Sequence, residues 1–221
     1  MKVLLVGDLH NQFNDLNELI NKKLLQLGDM GVWERWENGQ KLSDIKPQGS
    51  IIYFIAGNHE DYQSLPIIRG REGIELVPNV IYMPRGSTLK LDDGRNILFM
   101  GGARSIDKSV RREGWDWFAE ETIGYADMQN LPDEKVDILI THTCPEELVD
   151  ELIKYYPEKR GEPSNIAISQ LLKMYKPSLH CFAHWHHYKE GTLNETKWYT
   201  LSYPRHGARW WMWLPEKKEE E

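Results

Sequence analysis

The sequence predicts a mixed α/β or α+β fold with room for two sheets, and three observations support that. Short apolar runs rich in β-branched and aromatic residues recur along the whole chain. Segments with helical spacing are interleaved with them rather than gathered into a block. Several runs end in a glycine followed at once by polar residues, as strands do when they feed loops at one sheet edge.

Residues 2–7 (KVLLVG) read as a buried strand ending at Gly7. An amphipathic helix is expected next, with Leu16, Leu19, Ile20 and Lys23 at helical intervals. Apolar runs follow at 24–28 and, more clearly, at 51–57. Strands are expected at 81–83, 87–91 and 96–102, the last two joined by AspAspGlyArg, a hairpin signal. Another apolar run covers 136–142, and helices fit 145–155 and 164–176, the second with Ser164 as N-cap. Strands then fit 178–184 and stretches near 187–193, 196–203 and 208–213, with Asn194 and Glu195 turning between the middle two. The charged end at 216–221 should fray, leaving one domain over 1–215.

The chain has 221 residues, 27 basic and 34 acidic, for a net charge of −7. That length suits a single domain with a self-sufficient core. The acidic balance argues against a general nucleic-acid coating role and a stable nucleic-acid complex. It leaves a phosphate-bearing substrate open, because a bound metal supplies positive charge locally. No apolar run approaches a membrane span, and the apolar opening is too short for a signal peptide. Cys144 and Cys181 are too few for a disulfide framework and read as small buried residues. The expectation is a cytoplasmic protein with no membrane partner, free to form a homo-oligomer.

Five polar clusters stand directly after expected strands: GlyAspLeuHis (7–10), GlyAsp (28–29), GlyAsnHisGlu (57–60), ThrHis (141–142) and AlaHisTrpHis (183–186). Strand ends in helix-covered sheets share one crevice, so five of them can deliver polar groups to one place. They carry Asp8, His10, Asp29, Asn58, His142, His184 and His186. This oxygen and nitrogen set without thiolate suits Mn, Fe, Zn, Co or Ni. Seven ligands exceed what one ion needs, and a carboxylate bridging two ions accounts for the surplus. In extended backbone, Asp8 and His10 would project the same way, as would His184 and His186, with His187 pointing away. A single Asp or His after a strand is ordinarily a cap or a surface residue; the joint pattern is what carries the argument. His180, His187 and His206 are read as ordinary structural residues.

This pattern resembles the calcineurin-like metallophosphoesterase superfamily over residues 7 to about 190, with GlyAsnHisGlu and HisTrpHis its most specific parts. The resemblance implies a four-layer αββα sandwich: two mixed β-sheets flanked by helices, with two divalent transition-metal ions at the strand ends. Mn is the ion expected in vitro. By the same resemblance Asp8, His10, Asp29 and His186 would hold one ion, and Asp29 would bridge to a second completed by Asn58, His142 and His184. His59 corresponds to the family's histidine beside the scissile phosphate, with Glu60 as its partner. Ala183 replaces the usual glycine, and the short segment between the first two motifs requires a compact helix. GlyAspMetGlyValTrp lacks the continuation typical of the Ser/Thr protein phosphatases, and HisTrpHis is more similar to the diesterase and purple-acid-phosphatase-like branches.

The implied activity is a metal-dependent phosphodiesterase acting on a small phosphate ester, nucleotide-like or a cyclic nucleotide. The rivals are a broad phosphomonoesterase and a catalytically silent metal-binding scaffold. The basic segment 101–112 offers Arg104, Lys108, Arg111 and Arg112 for phosphate contact, with Arg104 favoured because it lies nearest the glycine turn. Nine tryptophans are many for this length. Those near the motif loops (Trp33, Trp36, Trp115, Trp117 and Trp185) are read first as anchors and second as stacking partners for a base.

Overall fold

The computed structural model describes residues 2–19, 22–39, 41–66, 71–129, 131–152, 161–205 and 209–217. Ile20, residues 153–155 of the second expected helix, His206, residue 208 and the tail beyond 217 lie outside them. In chain order the first elements are β1 (Val3–Val6), α1 (Phe13–Asn17), β2 (Lys23–Gln26), β3 (Ile51–Phe54), β4 (Ile74–Val77), β5 (Val80–Tyr82), β6 (Thr88–Lys90) and β7 (Asn96–Met100). After these come β8 (Ile138–Thr141), α2 (Val149–Leu152), α3 (Pro163–Tyr175), β9 (Leu179–Phe182), β10 (Lys189–Leu193), β11 (Thr196–Thr200) and β12 (Trp211–Trp213).

The strands form two six-stranded mixed sheets, ordered β12-β1-β2-β3-β5-β4 and β10-β11-β9-β8-β7-β6. The central pairs β1–β2, β2–β3 and β3–β5 are parallel, as are β7–β8, β8–β9 and β9–β11. Each sheet is closed at both edges by an antiparallel strand. Alternation of side chains sorts the core into layers. Leu5, Leu25, Leu27 and Ile55 from the first sheet pack with Ile97, Phe99, Ile138, Ile140 and Cys181 from the second. Their neighbours Leu4, Val6, Leu24 and Phe54 face outward onto Phe13 and Leu16 of α1. Leu98, Met100 and Leu139 face outward onto Ala167, Ile168 and Leu171 of α3. The expected four-layer sandwich is therefore present. Among the described residues, no helix is long and apolar enough to cross a membrane.

The local departures have physical causes. The first helix is only Phe13–Asn17, because Lys23 joins the ladder beside Val3 and Ile51 instead of extending it. β4 has no counterpart among the expected strands: it is a short, half-buried edge strand whose hairpin turns at Asn79, held left-handed at φ 64. α3 is capped not by Ser164 but by Glu162, whose carboxylate accepts from the Ser164 and Asn165 N–H groups at 3.0 Å. The Ser164 hydroxyl accepts from Ile123 N–H instead, tying α3 to the loop at 119–124. The hairpin between β6 and β7 forms as expected, with Leu91 N–H donating to the Arg95 carbonyl.

One partly buried cation, Arg85, positions the loops that leave β7. Arg85 donates to the carbonyls of Gly101 (2.7 Å), Glu120 (2.7 Å), Glu121 (2.9 Å) and Thr122 (3.1 Å), and to Asp127 Oδ2 (3.0 Å). A guanidinium has five N–H groups in a rigid fork, and all five are used here. Arg85→Lys keeps the charge but supplies three donors without the fork. It should lower the unfolding free energy by about 3 kcal/mol, or roughly 6–12 °C in melting temperature at this chain length. Thermal denaturation tests this, and a variant melting within about 2 °C of the parent would contradict the role.

Candidate metal centre

Parallel strands of both sheets end at one edge, and there the five motif clusters meet. Gly7 follows β1 with no room for a side chain: a Cβ would overlap the Ser202 carbonyl. Asp8 is fully buried, and its carboxylate accepts the His184 N–H at 3.1 Å. Leu9 and His10 N–H both donate to the Asp29 carbonyl, at 3.0 and 2.9 Å, lashing the first motif to the second. At the end of β2, the Gln26 amide reaches the carbonyls of Gly7 and Gly28. Its oxygen accepts the Gly28 N–H at 3.1 Å.

The expectation that His10, His184 and His186 project from extended backbone is overturned. They lie at φ 43, 69 and 55, and Asp29 lies at φ 53. These are left-handed turns, uncommon for residues with side chains. The chain reverses at each, so His184 and His186 diverge into different groups. Donor atoms of Asp8, His10, Asp29 and His186 all lie within 4.8 Å of one another, and so do those of Asp29, His142 and His184. Asp29 belongs to both groups. Asn58 adjoins the second, with its Oδ1 3.2 Å from His142 Nε2.

The chemistry of the donors tests whether cations fit here. His142 Nδ1 donates to the Leu27 carbonyl at 2.7 Å, so in the neutral ring Nε2 carries the lone pair. That lone pair faces two oxygens, Asp29 Oδ1 and Asn58 Oδ1, each at 3.2 Å. In the other group, His10 Nε2 and His186 Nε2 are 2.8 Å apart. His186 Nε2 is also 3.2 Å from Asp8 Oδ2. Nitrogens and oxygens packed this closely require positive charge among them, from protons or a bound cation, and the nitrogen and oxygen set suits a divalent transition metal. Without a cation, a proton on His142 meets that demand. Burial alone would lower His142, but Asp29 and Asp8 outweigh it and push it up to about 10. Burial opposes ionisation of Asp29, yet His142, His59 and His10 hold its carboxyl well below the usual range.

Beside this centre, His59 is half-buried and T-stacked on His10, with ring centroids 4.8 Å apart. Burial, and after it the neighbouring Arg111, holds its pKa down against the pull of Asp29. Its partner is not Glu60. The Glu60 carboxylate accepts the N–H groups of Gly57 and Gly31, so it braces the turn after β3 and the loop after β2. Burial and then Asp29 push Glu60 up to about 8. The group facing His59 is Arg111, whose Nη2 lies 2.9 Å from His59 Nε2 while its Nη1 donates to the Asn58 carbonyl at 3.1 Å. Arg111 Nε pairs with Asp107 Oδ1 at 2.8 Å. Arg104, favoured from the sequence, is exposed, and it is Arg111 of the same basic segment that reaches the site.

Other residues near the site carried a weaker signal or none. Tyr203 stands against His186 at 4.7 Å between ring centroids. Gln26 was legible only as a polar residue inside an apolar run. Trp33, Trp36 and Trp115 stack in series, with centroids 4.5 and 5.9 Å apart, and so tie the 112–117 turn to the loop after β2. His180 is buried in β9 with its Nε2 2.8 Å from Thr141 Oγ1, and His187 Nδ1 donates to the Trp185 carbonyl, both in structural roles. Cys144 and Cys181 are buried free thiols.

The sequence profile described as calcineurin-like phosphoesterase matches residues 1–188. Among solved structures, the phosphopantetheinyl hydrolase from Mycobacterium tuberculosis superposes with a TM-score of 0.56 at 13% identity, covering 100% of this chain and 98% of that one. The protein TT1561 of Thermus thermophilus superposes with a TM-score of 0.52 at 14% identity, over 91% of this chain and 88% of that one. At these identities the likeness is one of fold. No curated protein sequence matches the chain significantly.

Gly57 gives a direct test of the centre's compactness. A Cβ there would overlap Asp29 Oδ1 and sit 2.6 Å from His142 Nε2. Gly57→Ala should therefore weaken Mn²⁺ binding by roughly 10-fold or more, measured by calorimetric titration. Unchanged affinity would show that the shared carboxylate tolerates displacement.

Proposed function

This chain belongs to the calcineurin-like phosphoesterase family, and we propose that it is a dinuclear metal-dependent phosphodiesterase acting on nucleotide-like or cyclic nucleotide esters. The observation that carries the reading is the pair of donor groups sharing Asp29 beneath His59 and Arg111. Asp8, His10, Asp29 and His186 would hold one ion; Asp29, Asn58, His142 and His184 would hold the other. Bound there, two divalent ions supply a nucleophile from water at neutral pH and offset charge on the non-bridging phosphate oxygens.

The protein's own groups do the rest. Arg111 can only donate, and its Nη2 lies 2.9 Å from His59 Nε2 and 3.4 Å from Nδ1, so the guanidinium holds the ring at its nitrogen edge. A histidine held there can offer a ring N–H to an ester oxygen, and Arg111 adds a fixed positive charge next to it. Asp29 is locked by the Asn58 and His59 N–H groups at 2.8 and 2.9 Å, so it needs no reorganisation when substrate arrives.

Preference for a diester is supported by the pairing of Arg111 with Asp107, which offsets part of its charge and leaves less for the second charge of a monoester. A broad monoesterase is the second reading, favoured by the nearness of Arg111 to His59.

The test compares bis-p-nitrophenyl phosphate with p-nitrophenyl phosphate, using chelated protein reloaded with Mn, Fe, Co, Ni or Zn. Faster metal-dependent cleavage of the diester is expected, and a monoester preference would transfer the reading to the second alternative. Asp29→Ala should lose both ions and all activity. His59→Ala should retain its metal while kcat falls roughly 10²-fold or more. A His59→Ala protein that had lost its metal would refute the role given to His59.

A further inference from the structure

We infer that Ser105 and Glu121 form a positioning relay that fixes the side-chain amide of Asn58 with its oxygen toward the Asp29–His142–His184 group. The inference rests on the two-ion reading and deepens it by naming what orients one of the ligands. All three residues are buried, with 4% exposure at Asn58, 1% at Ser105 and 0% at Glu121, so water is poorly placed to substitute for any link.

The direction of each hydrogen bond follows from its neighbour. Glu121 Oε1 faces the Phe118 N–H at 3.3 Å and Oε2 faces the Ser105 N–H at 3.2 Å; backbone N–H groups only donate, so both oxygens accept. The Ser105 hydroxyl approaches the same Oε2 at 2.6 Å and donates its single proton there. Ser105 Oγ has then only lone pairs left to offer, and the Asn58 amide nitrogen donates to it at 3.3 Å. The Asn58 oxygen must therefore face the other way, where it lies 3.2 Å from His142 Nε2. A half-turn of an asparagine amide changes its shape little but exchanges a lone pair for two N–H groups. Turned that way, Asn58 would present hydrogens where a cation needs an oxygen. Arg85 keeps the far end of the relay rigid, because it clamps the carbonyls of Gly101 and Glu121 together.

The relay predicts a selective defect, to be read in Mn²⁺ titrations by calorimetry and in the electron paramagnetic signature of spin-coupled Mn pairs. The parent protein should take up two ions. Ser105→Ala should bind one ion as the parent does and the second roughly 10–100-fold more weakly, with loss of the coupled-pair signal. Ser105→Thr, which keeps the hydroxyl, should restore both. Glu121→Gln should resemble Ser105→Ala, because either orientation of its amide sets N–H against a backbone N–H. Melting of the metal-free proteins separates this from misfolding; should Ser105→Ala fail to fold, Glu121→Gln carries the comparison.

A second ion bound at parental affinity by the folded variant would overturn the relay, and so would a Ser105→Thr protein as weak as Ser105→Ala. A parent protein that takes up no ion would instead refute the metal centre itself, and the relay with it.

Discussion

The carboxylate of Asp29 is the constraint around which both sheet ends are arranged. It lies just beyond β2, belongs to both donor groups, and receives the N–H groups of Asn58 and His59 on one oxygen. Its own carbonyl receives the N–H groups of Leu9 and His10, so the same residue anchors the first motif loop. Two glycines make the approach feasible: a Cβ at Gly28 or Gly57 would run into the imidazole of His142. His142 comes from the opposite sheet and donates to the Leu27 carbonyl. The shared carboxylate therefore also sets how closely the two sheets come together at this edge.

That closeness is held against backbone strain. Four of the seven expected ligands, His10, Asp29, His184 and His186, are left-handed without being glycine. Such conformations cost on the order of 1–3 kcal/mol each and persist only where surrounding structure over-determines them. Here it does. The strands that feed these turns are almost wholly buried, and their core is shared between two sheets and the flanking helices. A rigid scaffold supports short, strained loops, and those loops carry the chemistry.

Much of this was legible in the sequence. The apolar runs located nearly every interior strand, since a strand buried on both faces must be apolar throughout. The polar clusters located the donor residues, because divalent ions need particular atoms and few side chains supply them. The half-exposed edge strand β4 was not legible, its pairing depending on a partner rather than on its own residues. The first helix was over-read for the related reason that Lys23 follows the sheet rather than its own helical spacing.

Residue identity and strand periodicity, by themselves, determined the two-sheet class and the set of groups available for chemistry, because burial and ligand chemistry act residue by residue. Tertiary structure alone decided how those groups are partnered. It turned His184 and His186 into different groups, gave His59 to Arg111 instead of Glu60, and sent Glu60 to brace Gly57 and Gly31. The physical reason is that hydrogen-bond direction and close approach depend on distances of about 3 Å between atoms far apart in the chain, which no local pattern encodes.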